Sequence, residues 1–321
     1  MQQSAAPEQK NKNEHKMMKR ISLVLVMLGV AFAAVAQQKS IYEQKYDLLV
    51  SKFGPAGVGV ETVLDNWSKA DSTDVKLLYA RFSYFFNKAQ SSKVVIKKEK
   101  KYLGMEPLLA LKDSTGADIF YYEESAFDDD LYGQALKAAD RAISLYPDKL
   151  DFRFLKINAY IAYEKESPDM ALASLIDLLD ENSKRTSPWS YDGSDAEAGF
   201  FEEAVQEYCF SFWTIGSKSS YEAFRTLSEA ALRYYPDNVG FMNNMGSYHL
   251  VACDDSKTAL KWYNKVLKKK PDDYNAIKNC VTLARKQNNM KLEKKYLQMM
   301  VKYGPEKDKM LAQSRLQAIS K

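Results

Sequence analysis

Through most of the chain apolar residues recur every three to four positions, the stripe of amphipathic helices packed on neighbours. The stripes and their flanking caps place helices near residues 41–53, 58–70, 74–89, 129–146, 150–164, 168–182, 196–214, 218–235, 238–251, 256–269, 273–287, 290–302 and 306–319. In the stretch 256–269, Ala259, Trp262, Tyr263, Val266 and Leu267 fall at i, i+3, i+4, i+7 and i+8, and Pro271 then stops the helix. Two segments break the period. Residues 90–127 carry β-rich flanks around Asp113-Ser114-Thr115-Gly116, which predicts a small β-hairpin insertion, with the lysine-flanked run Lys93 to Lys101 as an edge strand protected by charge. Residues 183–195 are polar and predict a loop.

The helix stops repeat. Pro236, Pro271 and Pro305 are separated by 35 and 34 residues, and Pro147 ends an earlier stretch of the same character. A period near 34 with helix, turn, helix and terminal proline predicts stacked helical hairpins. Along the second helix a small residue, a large one, a second small one and a proline follow at intervals of four, three and five, as Ala259, Tyr263, Val266 and Pro271, after Met245-Gly246 and Tyr248 in the first helix. Ala135, Ala139, Ala142 and Pro147 give a second copy, and Ala171, Leu175 and Leu178 a third with Ser183 in place of the proline. On these residues the chain resembles the tetratricopeptide repeats. It also departs from them: the turn before Ala259 is one residue longer, and the copy ending at Pro236 carries Phe224 and Ser228 where small and large are expected.

The expected architecture is therefore all-α, an irregular α-solenoid of tetratricopeptide-like hairpins with a small β-hairpin insertion. Its parts are residues 1–36, an amino-terminal extension and signal peptide; 37–89, helical; 90–127, the insertion; 128–235, degenerate hairpins; 236–305, the best repeats; and 306–321, a capping helix. The signal rests on Lys16, Lys19 and Arg20 before an apolar run ending Ala34-Val35-Ala36, with cleavage expected before Gln37. The run is shorter than the roughly 20 residues of a spanning helix, so the mature chain is expected not to span a membrane and to reside in the periplasm or be secreted. No cysteine stands near that site, so a lipoprotein signal is absent.

Charge changes the picture little as a total and more as a distribution. The chain has 46 basic and 42 acidic residues, a net +4, and removal of residues 1–36 reduces this to +1, so no nucleic-acid partner is expected. Residues 113–207, however, hold 22 acidic and 8 basic side chains, and residues 254–321 hold 7 and 17. The odd set Cys209, Cys253 and Cys280 reads as small buried helix residues rather than disulfides.

Candidate chemistry is sparse. His249, the one histidine after residue 36, sits at a packing position, so neither a histidine triad nor a Cys/His metal site can be assembled, and no metal or cofactor is expected. Asp128-Asp129-Asp130 reads as a helix cap rather than a calcium loop, and residues 54–59, "GPAGVG", as a turn between helices rather than a phosphate loop. The resemblance implies a non-catalytic scaffold holding a peptide or partner protein. Inward positions of its first helices fall on Asn243, Asn244 and Ser247, then Asn275, Lys278, Asn279 and Thr282. Asparagines there would bond a peptide backbone and Lys278 a carboxylate. The alternative is a glycan-binding protein resembling helical-repeat proteins of the starch-uptake type, using Trp189 and Tyr191 beside Asp192 and Asp195. An enzyme built on Asp118, Glu123 and Glu124 is a third reading. In style the chain is similar to periplasmic repeat proteins of the Bacteroidetes type.

Overall fold

The computed structural model describes residues 40–319. Among them are thirteen helices and a small antiparallel sheet, with a two-stranded ribbon besides. In chain order these are α1 (Ile41–Phe53), α2 (Val60–Ala70), α3 (Val75–Ala89), β1 (Gln90–Lys97), β2 (Leu109–Lys112), β3 (Asp118–Phe127), α4 (Asp129–Leu145), α5 (Leu150–Glu164), α6 (Asp169–Lys184), β4 (Ser190–Tyr191), β5 (Ser194–Asp195), α7 (Phe200–Ile215), α8 (Lys218–Tyr234), α9 (Val239–Val251), α10 (Ser256–Lys269), α11 (Tyr274–Lys286), α12 (Met290–Tyr303) and α13 (Glu306–Ala318). The expected signal peptide lies outside the described residues. No helix among the described residues is long and apolar enough to cross a membrane.

Caps explain why the helices begin where they do. Asp74, Asp128, Ser217, Asn238, Asp255, Asp273 and Asn289 each accept a hydrogen bond from a first-turn amide of the helix that follows. Helix α7 starts at Phe200 rather than near 196. Gly199 before it has φ +87°, a left-handed conformation that a right-handed helix cannot include.

The chain forms two compact units: the described part of Met1–Lys165 with Arg185–Phe201, and Glu166–Lys184 with the described part of Glu202–Lys321. In the first, Val60, Leu64, Trp67, Leu77, Ala80 and Tyr84 form one buried cluster, and Trp67 donates through Nε1 to Asp74 at 3.2 Å. A second cluster joins Phe82, Phe86 and Tyr132, with Tyr132 and Tyr163 stacked at 4.3 Å between ring centroids.

The insertion in this unit has three strands, not two, in the order β1-β3-β2. The expected turn at Asp113–Gly116 joins β2 to β3, while β1 pairs with β3 from Gln90↔Phe127 to Lys97↔Phe120 and so lies at an edge. Alternation divides the faces. Phe120, Tyr122 and Glu124 are buried, whereas Val94, Ile96, Leu109 and Leu111, which pair with Ile119, Tyr121 and Glu123 on the other face, are exposed. The segment expected to be a loop at 183–195 is partly ordered as well: α6 runs to Lys184, and β4 and β5 close around Asp192 (φ +49°) and Gly193 (φ +77°). Positive φ at both central residues is what a tight two-residue hairpin turn requires.

In the second unit each helix from α8 onward packs on the next in sequence across connections of two to four residues. Their shared core contains Met242, Ala259, Tyr263, Val266, Ile277, Cys280, Tyr296 and Leu297. The longer turn before α10 is absorbed by Asp254, whose φ is +52°. Helix α6 joins this unit through Asn182, which donates to the Tyr235 hydroxyl at 2.8 Å. Cys209 and Cys280 are buried helix residues, and burial pushes both thiols up to about 12. Cys253 departs from expectation: it is exposed, beyond the end of α9, and all three thiols are free.

Candidate functional site

Helix α11 presents its polar stripe to solvent. Asn275, Lys278 and Thr282, at i, i+3 and i+7, are exposed, while Ala276, Ile277, Cys280, Val281, Leu283 and Ala284 are buried beneath them. Arg285, at i+10, continues the stripe by one turn. With a rise of 1.5 Å per residue the four positions span roughly 15 Å, the length of four or five extended residues.

The other polar residues expected on this surface have internal partners. Asn243 donates through Nδ2 to Asp273 Oδ1 at 3.1 Å, and that carboxylate also caps α11 by accepting from the Ala276 amide. Asn244 is buried, bonded to Gln206 in both directions and donating to the Ser228 hydroxyl at 3.1 Å. Ser247 and the Tyr263 hydroxyl lie 3.1 Å apart, and Asn279 is half-buried beside that hydroxyl. Burial raises the Tyr263 pKa, so the phenol stays protonated and joins α10 to α9 through Ser247. Thr282 donates to the Lys278 carbonyl within its own helix. Asn243, Asn244 and Ser247 thus bond to neighbouring helices, where the sequence set the asparagines against a peptide backbone.

The alternative constellation at 189–195 is placed differently from its expectation. Trp189 is only 4% exposed. The Arg185 guanidinium lies 3.7 Å from its ring centroid, that of Arg153 at 5.1 Å, and Phe201 stacks nearby at 6.5 Å. Arg185 is held in turn by Asp148 at 2.6 Å, and Asp192 donates its amide to Asp151 Oδ1 at 3.0 Å. Tyr191 packs on Phe200 at 4.6 Å, and Asp192 and Asp195 are exposed. The exposed ring face that sugar stacking needs is therefore covered by arginine.

The three carboxylates of the insertion do not converge. Glu123 and Glu124, consecutive in β3, point to opposite faces, and Asp118 pairs with Lys112 at 2.9 Å. Glu124 is buried. Burial opposes its ionisation, but hydrogen bonds from Lys165, Tyr102 and Lys93 outweigh this and hold its pKa down to about 2. It pins β1 and the end of α5 to the inner face of the sheet. Among the described residues no three His, Cys, Asp or Glu side chains gather as a metal site.

Against this geometry the comparisons with known proteins are silent: no family model matches the chain, and no curated protein is significantly similar to it.

Proposed function

We propose that the chain is a non-catalytic scaffold whose helical hairpins stack as an irregular α-solenoid of the tetratricopeptide kind and hold a peptide or partner protein along α11. The observation that carries this reading is the exposed stripe Asn275, Lys278, Thr282, set on a helix whose opposite side is fully buried. Asparagine amides pair with a peptide backbone and a lysine ammonium holds a carboxylate. The packing of Gly246 under Tyr263 supports the repeat assignment, because it is where a tetratricopeptide-like hairpin needs a small residue beneath a large one. The apolar amino-terminal run supports export to the periplasm or beyond.

The test is selective capture. Wild-type protein immobilised in envelope extract should retain one or a few proteins, which the Asn275→Ala/Lys278→Ala/Thr282→Ala variant fails to retain while melting at the same temperature. Unchanged capture by the triple variant, or hydrolysis of an envelope substrate by the wild type, would remove the reading.

A further inference from the structure

A recess of about 480 Å³ opens where α11, α12 and α13 meet, lined by Arg285, Asn288, Met290, Glu293 and Arg315. Its floor is unusual for this array. Thirty-four residues earlier, one repeat back, the equivalent position is Ala259, which is 0% exposed and lets two helices approach. Here the same position is Glu293, 2% exposed. A buried carboxylate costs heavily in desolvation unless it is paired, so two cations have to accompany a group that packing alone would make alanine.

Both cations are arginines, and each leaves donors unspent on Glu293. Arg285 donates through Nε to Glu293 Oε1 at 2.7 Å. Arg315 donates through Nε to Oε1 at 2.9 Å and through Nη2 to Oε2 at 3.1 Å. A guanidinium has five N–H donors, so three bonds to Glu293 leave most of the two forks for other partners. Two arginines against one glutamate also leave the recess with net charge +1. One arginine would have neutralised Glu293; the second leaves an excess of positive charge in a concave surface, within a stretch of 17 basic and 7 acidic residues. Asn288, in the turn between α11 and α12 with φ +51°, adds an amide to the wall, and the exposed Met290 adds an apolar one.

We propose that this recess binds a single anionic group, a carboxylate or a phosphate carried on a partly apolar molecule, between two guanidinium groups that Glu293 holds in place. The site stands whether or not the α11 stripe carries a partner. Arginine is suited to it because the planar fork meets either anion through two parallel bonds. Glu293 is a positioning residue: its carboxylate fixes both forks and does not itself meet the anion.

The test uses the whole chain with ¹⁵N-labelled arginine, its Nε–H signals assigned by single Arg→Lys variants. The probes are inorganic phosphate, acetyl-glutamyl-leucine amide and the neutral acetyl-glutaminyl-leucine amide. The Arg285 and Arg315 signals should shift and saturate with one of the anions and stay still with the neutral peptide. Saturation by phosphate alone identifies a phosphate source, and saturation by the glutamyl peptide alone identifies a carboxylate one. Arg315→Gln should weaken binding about tenfold or more, since a charged hydrogen bond is lost. Because that variant also bares a buried glutamate, Asn288→Asp is the companion: aspartate tolerates the left-handed turn, leaves Glu293 paired, and should abolish anion binding at an unchanged melting temperature. Arginine signals that ignore both anions, an equal response to the neutral peptide, or full anion binding by Asn288→Asp would each overturn the proposal.

Discussion

Gly246 on α9 lies so close beneath Tyr263 on α10 that a β-carbon at position 246 would stand 2.5 Å from the ring. A glycine inside a helix normally gives way to alanine with a gain of roughly 0.5–1 kcal/mol. Here the sign should reverse. Tyr263 is fully buried and bonded to Ser247, so it has nowhere to withdraw, and overpacking costs about 1–3 kcal/mol. Urea denaturation of Gly246→Ala should show a lower midpoint with unchanged slope. A raised midpoint would mean that this hairpin is not packed as described.

The same logic governs Ala259, the small residue of the second helix, which is buried against the core shared by α9 to α13. Ala259→Leu should cost about 1–3 kcal/mol in the same assay. A variant melting with the wild type would show that the repeat register is misplaced.

The helices were legible because their apolar period survives even where the repeat signature fades; α8 carries Phe224 and Ser228 yet keeps Ala223, Leu227, Ala230 and Ala231 buried. The insertion was legible in type but not in pairing. The turn at Asp113–Gly116 marks β2 and β3, whereas nothing local ties Gln90 to Phe127. The β4–β5 ribbon escaped because strands of two residues show no period, although Asp192-Gly193 is a hairpin signal in its own right. At the α9 and α11 surface the stripe could be placed, but not which amides would be spent on neighbouring helices, since that depends on where Tyr263 and Asp273 reach. Glu293 was missed for a related reason. A glutamate on an amphipathic helix reads as solvated, and only alignment with Ala259 at the repeat period exposes it as buried.

Trp189 supplies a test of the ribbon. With its ring covered by Arg185 and packed near Phe201, truncation removes a buried aromatic and frees two guanidinium groups from it. Trp189→Ala should destabilise the fold by about 3–5 kcal/mol. Intrinsic fluorescence of Trp189 should likewise be insensitive to added oligosaccharides. A stable Trp189→Ala variant that loses sugar binding would restore the glycan reading.

Acid should loosen the sheet through Glu124. Its pKa in the folded protein, about 2, lies below the ordinary value of 4.5, so the folded state favours the ionised form. The stability this confers is complete above about pH 4.5 and is lost as the pH falls towards 2, when Lys165, Lys93 and Tyr102 lose their acceptor. Glu124→Gln should be less stable at neutral pH and should show a flatter decline below pH 4.5. Amide exchange in β1 and β3, followed from pH 6 to 3, reads this directly; identical acid profiles for the two proteins would sink it.

Asn243 and Lys278 separate the two roles that polar residues play on this surface. Asn243 donates to Asp273 while its own Oδ1 is buried without a partner. Asn243→Ala therefore loses one bond but also removes an unsatisfied oxygen, and should cost only about 1 kcal/mol. Asn243→Asp is the sharper change, because it sets a second carboxylate against Asp273 at the cap of α11, and like charges at that distance in a half-buried site repel strongly. It should destabilise by more than the alanine variant at pH 7. Lys278, exposed and away from the core, should behave otherwise: Lys278→Ala shifts stability by less than about 0.5 kcal/mol under the same conditions. If it nevertheless abolishes recovery of a partner that Asn243→Ala still retains, the stripe on α11 is the binding surface and the asparagines behind it are its frame. Equal loss of partner in both variants, in proportion to their stability, would show instead that capture follows the folded fraction and that Lys278 makes no contact of its own.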